Sequence, residues 1–171
     1  SVKRPFYQST QKLFLTSIPS VLYFDFARKL FGEGGKELPE TIFEEVYQTV
    51  NGHTWYVQYL LNRLFSLPQQ VPTVDLLHAL VQDIIREEEY TYQTYFDFLT
   101  SNQIQLLKAI AKEGTVSEIN ASGFIKKYNL KGASSINVAL KGLKDKEFVL
   151  KETQGYIVYD RFLAIWLKGL V

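Results

Sequence analysis

The chain has no cysteine and no methionine, and only two histidines among its 171 residues. The missing cysteines exclude a disulfide framework, thiol nucleophiles and thiolate metal centres. The histidines, His53 and His78, fall on different segments without a carboxylate set beside them. That argues against a metal cluster and against a Ser-His-Asp arrangement. No run of about 18 apolar residues is present, which excludes a membrane-spanning helix, and no charged-then-apolar leader is visible at Ser1. The expectation is a cytoplasmic chain with no membrane partner. Lack of Met, with the opening Ser1-Val2-Lys3-Arg4-Pro5, is the pattern expected of a piece of a longer protein.

What is present is an ordinary folded composition, 46% hydrophobic and 22% charged. Charge is unevenly spread. Residues 1–98 carry 8 basic and 12 acidic side chains, whereas residues 99–171 carry 11 and 6. A basic second half is suited to an anionic surface, although the excess is modest.

In the first half, residues 10–17 alternate as a short strand, with Leu13 and Leu15 on one face, until Pro19 stops it. Helical spacing follows through Val21, Leu22, Phe24, Phe26, Leu30 and Phe31. Gly32-Glu33-Gly34-Gly35-Lys36 reads as a flexible loop. It is not a phosphate loop, because the Gly-x4-Gly-Lys-Ser/Thr spacing fails: position 30 is Leu, and Glu37 stands where a hydroxyl should hold Mg²⁺. Pro39 suits the first turn of a helix that Asn51-Gly52 ends. A helix over residues 54–65 is expected to bury Trp55, Leu60 and Leu64, and Thr73 is placed to cap one over residues 74–89. Glu87-Glu88-Glu89 reads as a solvated face, and the aromatic-rich residues 90–99 as a helical bridge between the two parts.

In the second half, two amphipathic runs, 102–112 and 117–128, precede a third that opens at Ser134-Ser135. Ile136, Val138, Leu140 and Leu143 are its expected core residues. Strands at 148–152 and 156–159 are joined across Thr153-Gln154-Gly155, a hairpin signal. Asp160 can cap a final helix over 161–170 with Phe162, Ile165 and Trp166 turned inward. Three helices followed by a hairpin spell a winged helix-turn-helix. The expected fold class is therefore mainly α, a helical subdomain (1–98) followed by a winged helix with a small hairpin wing (99–171).

The third helix of the winged unit is the candidate reader of a partner. Ser134 and Ser135 can cap it and donate to a phosphate. Asn137 can pair with an adenine edge, and Lys141, Lys144, Lys146 and the wing's Lys151 can meet phosphates. Against DNA stand the absence of Arg from this helix and the diluting charges of Asp145 and Glu147. A protein partner is the preferred reading, and a DNA-binding regulator the alternative.

Three stretches carry a resemblance to a known family. Lys3-Arg4-Pro5-Phe6-Tyr7 with Leu13-Phe14-Leu15-Thr16-Ser17-Ile18-Pro19 is similar to the last strand region of a nucleotide core. Val50-Asn51-Gly52-His53-Thr54-Trp55-Tyr56 is similar to the Gly-His-Pro-Tyr segment of a helical lid. The stretch from Leu99-Thr100-Ser101 through Ala139-Leu140-Lys141-Gly142-Leu143 to Tyr159-Asp160-Arg161-Phe162 resembles a closing winged helix. In this order they resemble the C-terminal region of prokaryotic AAA-like ATPases of the STAND type. The resemblance implies a parent that binds ATP with Mg²⁺ through an upstream core, Walker A and Walker B segments included. It implies that Gly52, His53 and Thr54 lie on the nucleotide's base side, with Thr54 where Pro is usual. The chain alone is then not expected to be catalytic, since phosphoryl transfer needs donors, a Lys and a metal ligand around the phosphates. Partners implied are the upstream core and a protein, or DNA, at the winged helix. Self-association through the unpaired strand around Leu13–Thr16 is a further expectation.

Overall fold

The computed structural model describes residues 18–169; the strand expected over 10–17, and the self-association built on it, lie outside them. The first helices are α1 (Ser20–Glu33), α2 (Glu40–Thr49), α3 (Thr54–Phe65) and α4 (Val74–Tyr95). They pack around Phe43, which is fully buried, with the rings of Tyr23 and Phe24 at 5.6 and 5.4 Å from it. Asn51 and Gly52 turn the chain with φ of 51° and 64° between α2 and α3. Gly is needed there: a Cβ on Gly52 would lie 2.5 Å from the Tyr47 ring. Thr73 caps α4 by accepting from the Leu76 amide at 3.3 Å.

The aromatic-rich run is helical and links the two parts as expected: α4 continues unbroken through it to Tyr95, and a single 3₁₀ turn, Phe96–Phe98, ends it. Three other expectations for this half change. The loop after α1 is pinned rather than flexible. Lys36 Nζ donates to the carbonyls of Phe65 and Leu67, and the Glu37 amide donates to Gln70. Gly32 and Glu33 belong to α1 itself. Trp55 is 57% exposed rather than buried, stacked on Tyr59 at 5.3 Å, because its place on α3 faces away from α2 and α4.

The second half is built from α5 (Ser101–Glu113), α6 (Ser122–Lys127), α7 (Ala133–Asp145), β1 (Val149–Glu152), β2 (Gly155–Val158) and α8 (Arg161–Gly169). Thr100 and Gln103 form a reciprocal capping box at the start of α5. Gly114, at φ 78°, ends that helix. The strands pair antiparallel with Val149 opposite Val158 and Glu152 opposite Gly155, so the connection is a two-residue turn at Thr153-Gln154. The helix expected over 117–128 is real only from Ser122. Before it, Val116 bridges to Tyr156 through two 2.9 Å backbone bonds, and residues 118–121 form a turn closed by the Ala121 amide donating to the Glu118 carbonyl at 3.0 Å. Val116 and Ile119 are buried from this non-helical segment. Gly132, not a serine, stands at the N-cap of α7, and no side chain bonds there. Asp160 caps α8 as expected, accepting from the amides of Phe162 (2.9 Å) and Leu163 (3.1 Å).

An aromatic seam joins the halves. Trp166 of α8 lies 5.5 Å from both Tyr92 and Phe96. Phe162 meets Tyr56 and Tyr59 at 5.2 and 5.8 Å, and Tyr95 meets Phe148 at 5.3 Å. These rings are contributed by α3, α4, α8 and the start of the wing, so one core runs through both halves.

Candidate partner face and the turn between α2 and α3

The buried side of α7 is Ile136, Ala139, Leu140 and Leu143. A helical period then turns Ser134, Asn137, Lys141 and Lys144 to solvent, and all four are exposed. Ser135 sits half-buried at the edge of this stripe. Val138 is 73% exposed, not core. Its small neighbour Ala139 occupies the inward position instead, which places an apolar residue amid the polar stripe. Asn137 is not wholly free: its Oδ1 accepts from Asn120 Nδ2 at 3.0 Å, tying α7 to the segment before α6.

Lys151 is exposed on the wing, with its ammonium 5.6 Å from the centre of the Tyr156 ring. Lys146 is drawn away from the stripe, because its Nζ donates to the Phe98 carbonyl in the 3₁₀ turn after α4. Lys127 on α6 is committed to Glu113, which also accepts from Tyr128 at 2.7 Å. Lys127 and Tyr128 together hold the Glu113 carboxyl below its ordinary range, the Lys127 hydrogen bond foremost. The cations left facing outward with Ser134 and Asn137 are therefore Lys141 and Lys144 on α7, with Lys151 beyond them.

Gly52, His53 and Thr54 sit where α2 turns into α3. Gly52 is buried under Tyr47, and the Thr54 carbonyl accepts from the Tyr23 hydroxyl at 3.3 Å. His53 packs edge-on to Tyr56 at 5.0 Å, and its Nδ1 is buried without a partner. Burial, and secondarily the Arg161 guanidinium, push its pKa below the ordinary imidazole value. Tyr56 is pushed up to about 12 by burial, with Asp160 adding to it. Across the turn, Arg161 at the start of α8 donates to the Val158 carbonyl and to Glu152 Oε1, each at 3.2 Å.

His53 provides a test of this packing. Its folded-state pKa lies below the unfolded one, so the unfolded chain takes up the proton first. Stability is full above the unfolded pKa of about 6.5 and falls as pH drops from there through the folded pKa. Urea midpoints measured between pH 8 and pH 5.5 should decline, and the decline should shrink in His53→Gln. An unchanged slope in that variant would contradict the burial of the imidazole.

Residues 90–169 match the family model described as a probable winged helix domain. The fold of these residues agrees with that description: three helices, a two-stranded antiparallel hairpin and a closing helix have the architecture of a winged helix. No curated protein and no solved structure matches the chain. The winged helix takes in the last turns of α4 within the matched residues, in keeping with Tyr92 and Tyr95 packing on α8 and the wing. Winged helix domains commonly mediate contacts with DNA or protein. Here α8 and the start of the wing are occupied by the first half, and α7 is turned away from it. No helix among the described residues is long and apolar enough to cross a membrane. The capping box at Thr100-Ser101-Asn102-Gln103 has a sequence signal, Thr followed three positions on by Gln, that a helix expected only from 102 does not take in. The burial of Arg161 and the orphaned His53 nitrogen have none, since both arise from docking between segments distant in the chain.

Proposed function

We propose that the chain is the interaction arm of a nucleotide-dependent switch of the AAA-like STAND type. The helical lid and the winged helix move together and present α7 to a protein partner. ATP with Mg²⁺ belongs to the parent's upstream core, which would be the arm's first partner. The observation that carries this reading is the aromatic seam: it seats the winged helix on the lid while leaving the α7 stripe outward. A second feature supports it. Leu22, Phe26 and Leu30 recur every four residues along α1, and with Val21 and with Ile18 just ahead of the helix all are exposed. Such an apolar stripe is of the kind that packs against another part of a protein.

The α2–α3 turn fits ATP only at its base edge. It offers His53 Nδ1 as an unused polar atom, whereas phosphates need a set of converging donors: the Gly52 amide is already given to the Tyr47 carbonyl at 2.8 Å, and the Thr54 carbonyl that Tyr23 bonds is an acceptor. The phosphate and metal chemistry would come from the upstream core.

The test compares the product of the complete gene with this chain. The complete product is expected to bind ATP and to protect the α1 amides around Leu22, Phe26 and Leu30 from hydrogen exchange more than the chain alone does. A complete product that binds no nucleotide would sink the reading. The DNA-binding alternative is favoured by one observation, the shared exposure of Ser134, Asn137, Lys141 and Lys144. It predicts duplex binding whose salt slope drops by about 0.9 for each phosphate contact removed in Lys141→Gln and Lys144→Gln. The arm reading predicts no such slope.

A further inference from the structure

A cleft of about 360 Å³ opens between the two halves, walled by α2, the α2–α3 turn and α4 on one side and by α5, β2 and α8 on the other. Its volume lies in the range of small-molecule sites. Its chemistry is one-signed. Arg161 and Lys168 line it from α8, Asn51 and Gln82 from the lid, and no carboxylate is among its lining residues. His78 also lines it and is 3.5 Å from Glu45, which stands outside the lining. Val81 and Ile165 supply apolar wall.

Arg161 is the telling residue. It is 6% exposed, and its two terminal nitrogens are engaged by Val158 and Glu152, yet its Nε–H is buried without a partner. A buried guanidinium donor left unmatched costs free energy, and such groups are as a rule satisfied by protein, water or an ion. Glu152 is the one carboxylate bonded to this guanidinium and is itself about half exposed, so it offsets the buried charge only in part. A second cation, Lys168, lies two turns further along the same helix.

We propose that this cleft binds a small organic anion, a carboxylate or phosphate monoester carried on a compact apolar body. Its charged end is read by Arg161 and Lys168, and its apolar end lies against Val81 and Ile165. Both walls would contact the ligand, so it would hold lid and winged helix together and raise the stability of the unit by mass action. The inference does not depend on the ATPase reading and does not involve the α7 face.

The experiment follows the methyl signals of Val81 and Ile165 by NMR during titration of the chain with benzoate, phenyl phosphate, benzamide and benzamidine. Binding of one or both anions in the millimolar range is expected, with the stronger of the two deciding between carboxylate and phosphate. Neutral benzamide and cationic benzamidine should leave these signals in place. Lys168→Gln, at an exposed position, should weaken the anion about threefold, the worth of one exposed charge pair. Arg161→Gln should remove binding; should that variant fold poorly, the Lys168→Gln result and the charge series still decide. Shifts confined to Lys141 and Lys144, equal binding of benzamide, or no shift with either anion would each overturn the proposal.

Discussion

Trp166→Ala should cost about 3–5 kcal/mol of unfolding free energy, the range for removing a large buried aromatic. The indole is 6% exposed and packs on Tyr92 and Phe96, so its loss opens a cavity where α8 meets α4. The effect should not stay local. Trp55, the other tryptophan, lies on α3 and would be the sole indole reporter left in the variant. Its fluorescence should show the first half unfolding at lower urea together with the winged helix, in one transition. A loss below about 1 kcal/mol, the typical cost of an unremarkable substitution, would mean that α8 is not seated on α4 as described. Two well-separated transitions in the unmodified chain would mean the same.

Gly155→Ala is the second large effect. A Cβ at this position would lie 2.4 Å from the Val116 carbonyl oxygen and 2.6 Å from its carbon. Both are backbone atoms, which cannot step aside as a side-chain tip can. The methyl group would pry apart the bridge in which Val116 and Tyr156 exchange two backbone hydrogen bonds. Overpacking of about 1–3 kcal/mol and two bonds of about 1 kcal/mol each combine to a loss of roughly 3–5 kcal/mol. The amides of Val116 and Tyr156 should lose protection from exchange before those of α7. Gly32→Ala is the control. Nothing lies within 4 Å of its Cβ position and it sits inside α1, so alanine there should be neutral or slightly stabilising. Equal behaviour of the two variants would refute the close approach at Gly155.

What could be read in advance follows from which forces are local. Thr73 and Asp160 were legible as helix starts because a cap acts on the next three or four residues, and each occupies its expected place. The inward face of α7 was legible except at Val138. There a β-branched apolar residue was read as core, while the tight approach of α5 and α7 selected Ala139 instead. The same approach explains Gly142, whose Cβ would lie 2.2 Å from Gln103 Nε2. Residues 117–121 misled because they fold as a bend and a turn, so the burial of Ile119 comes from a turn and not from a helix face. The loop carrying Lys36 misled because its anchors, the Phe65 and Leu67 carbonyls, lie some thirty positions away. At the partner face, exposure of Lys141 and Lys144 followed from helical period alone. Withdrawal of Lys146 to Phe98 did not, nor did the pairing of Lys127 with Glu113, since both depend on how elements meet.

The uninterrupted run of α4 has a mechanical meaning. Its 22 residues span about 33 Å at about 1.5 Å of rise each. One end is rooted among the first helices through Leu77, Leu80 and Val81, and the other holds α8 through Tyr92. With no break between the two anchor points, the span from Leu77 to Tyr92 holds no hinge, and the two ends of the helix keep a fixed bearing on one another like the ends of a girder.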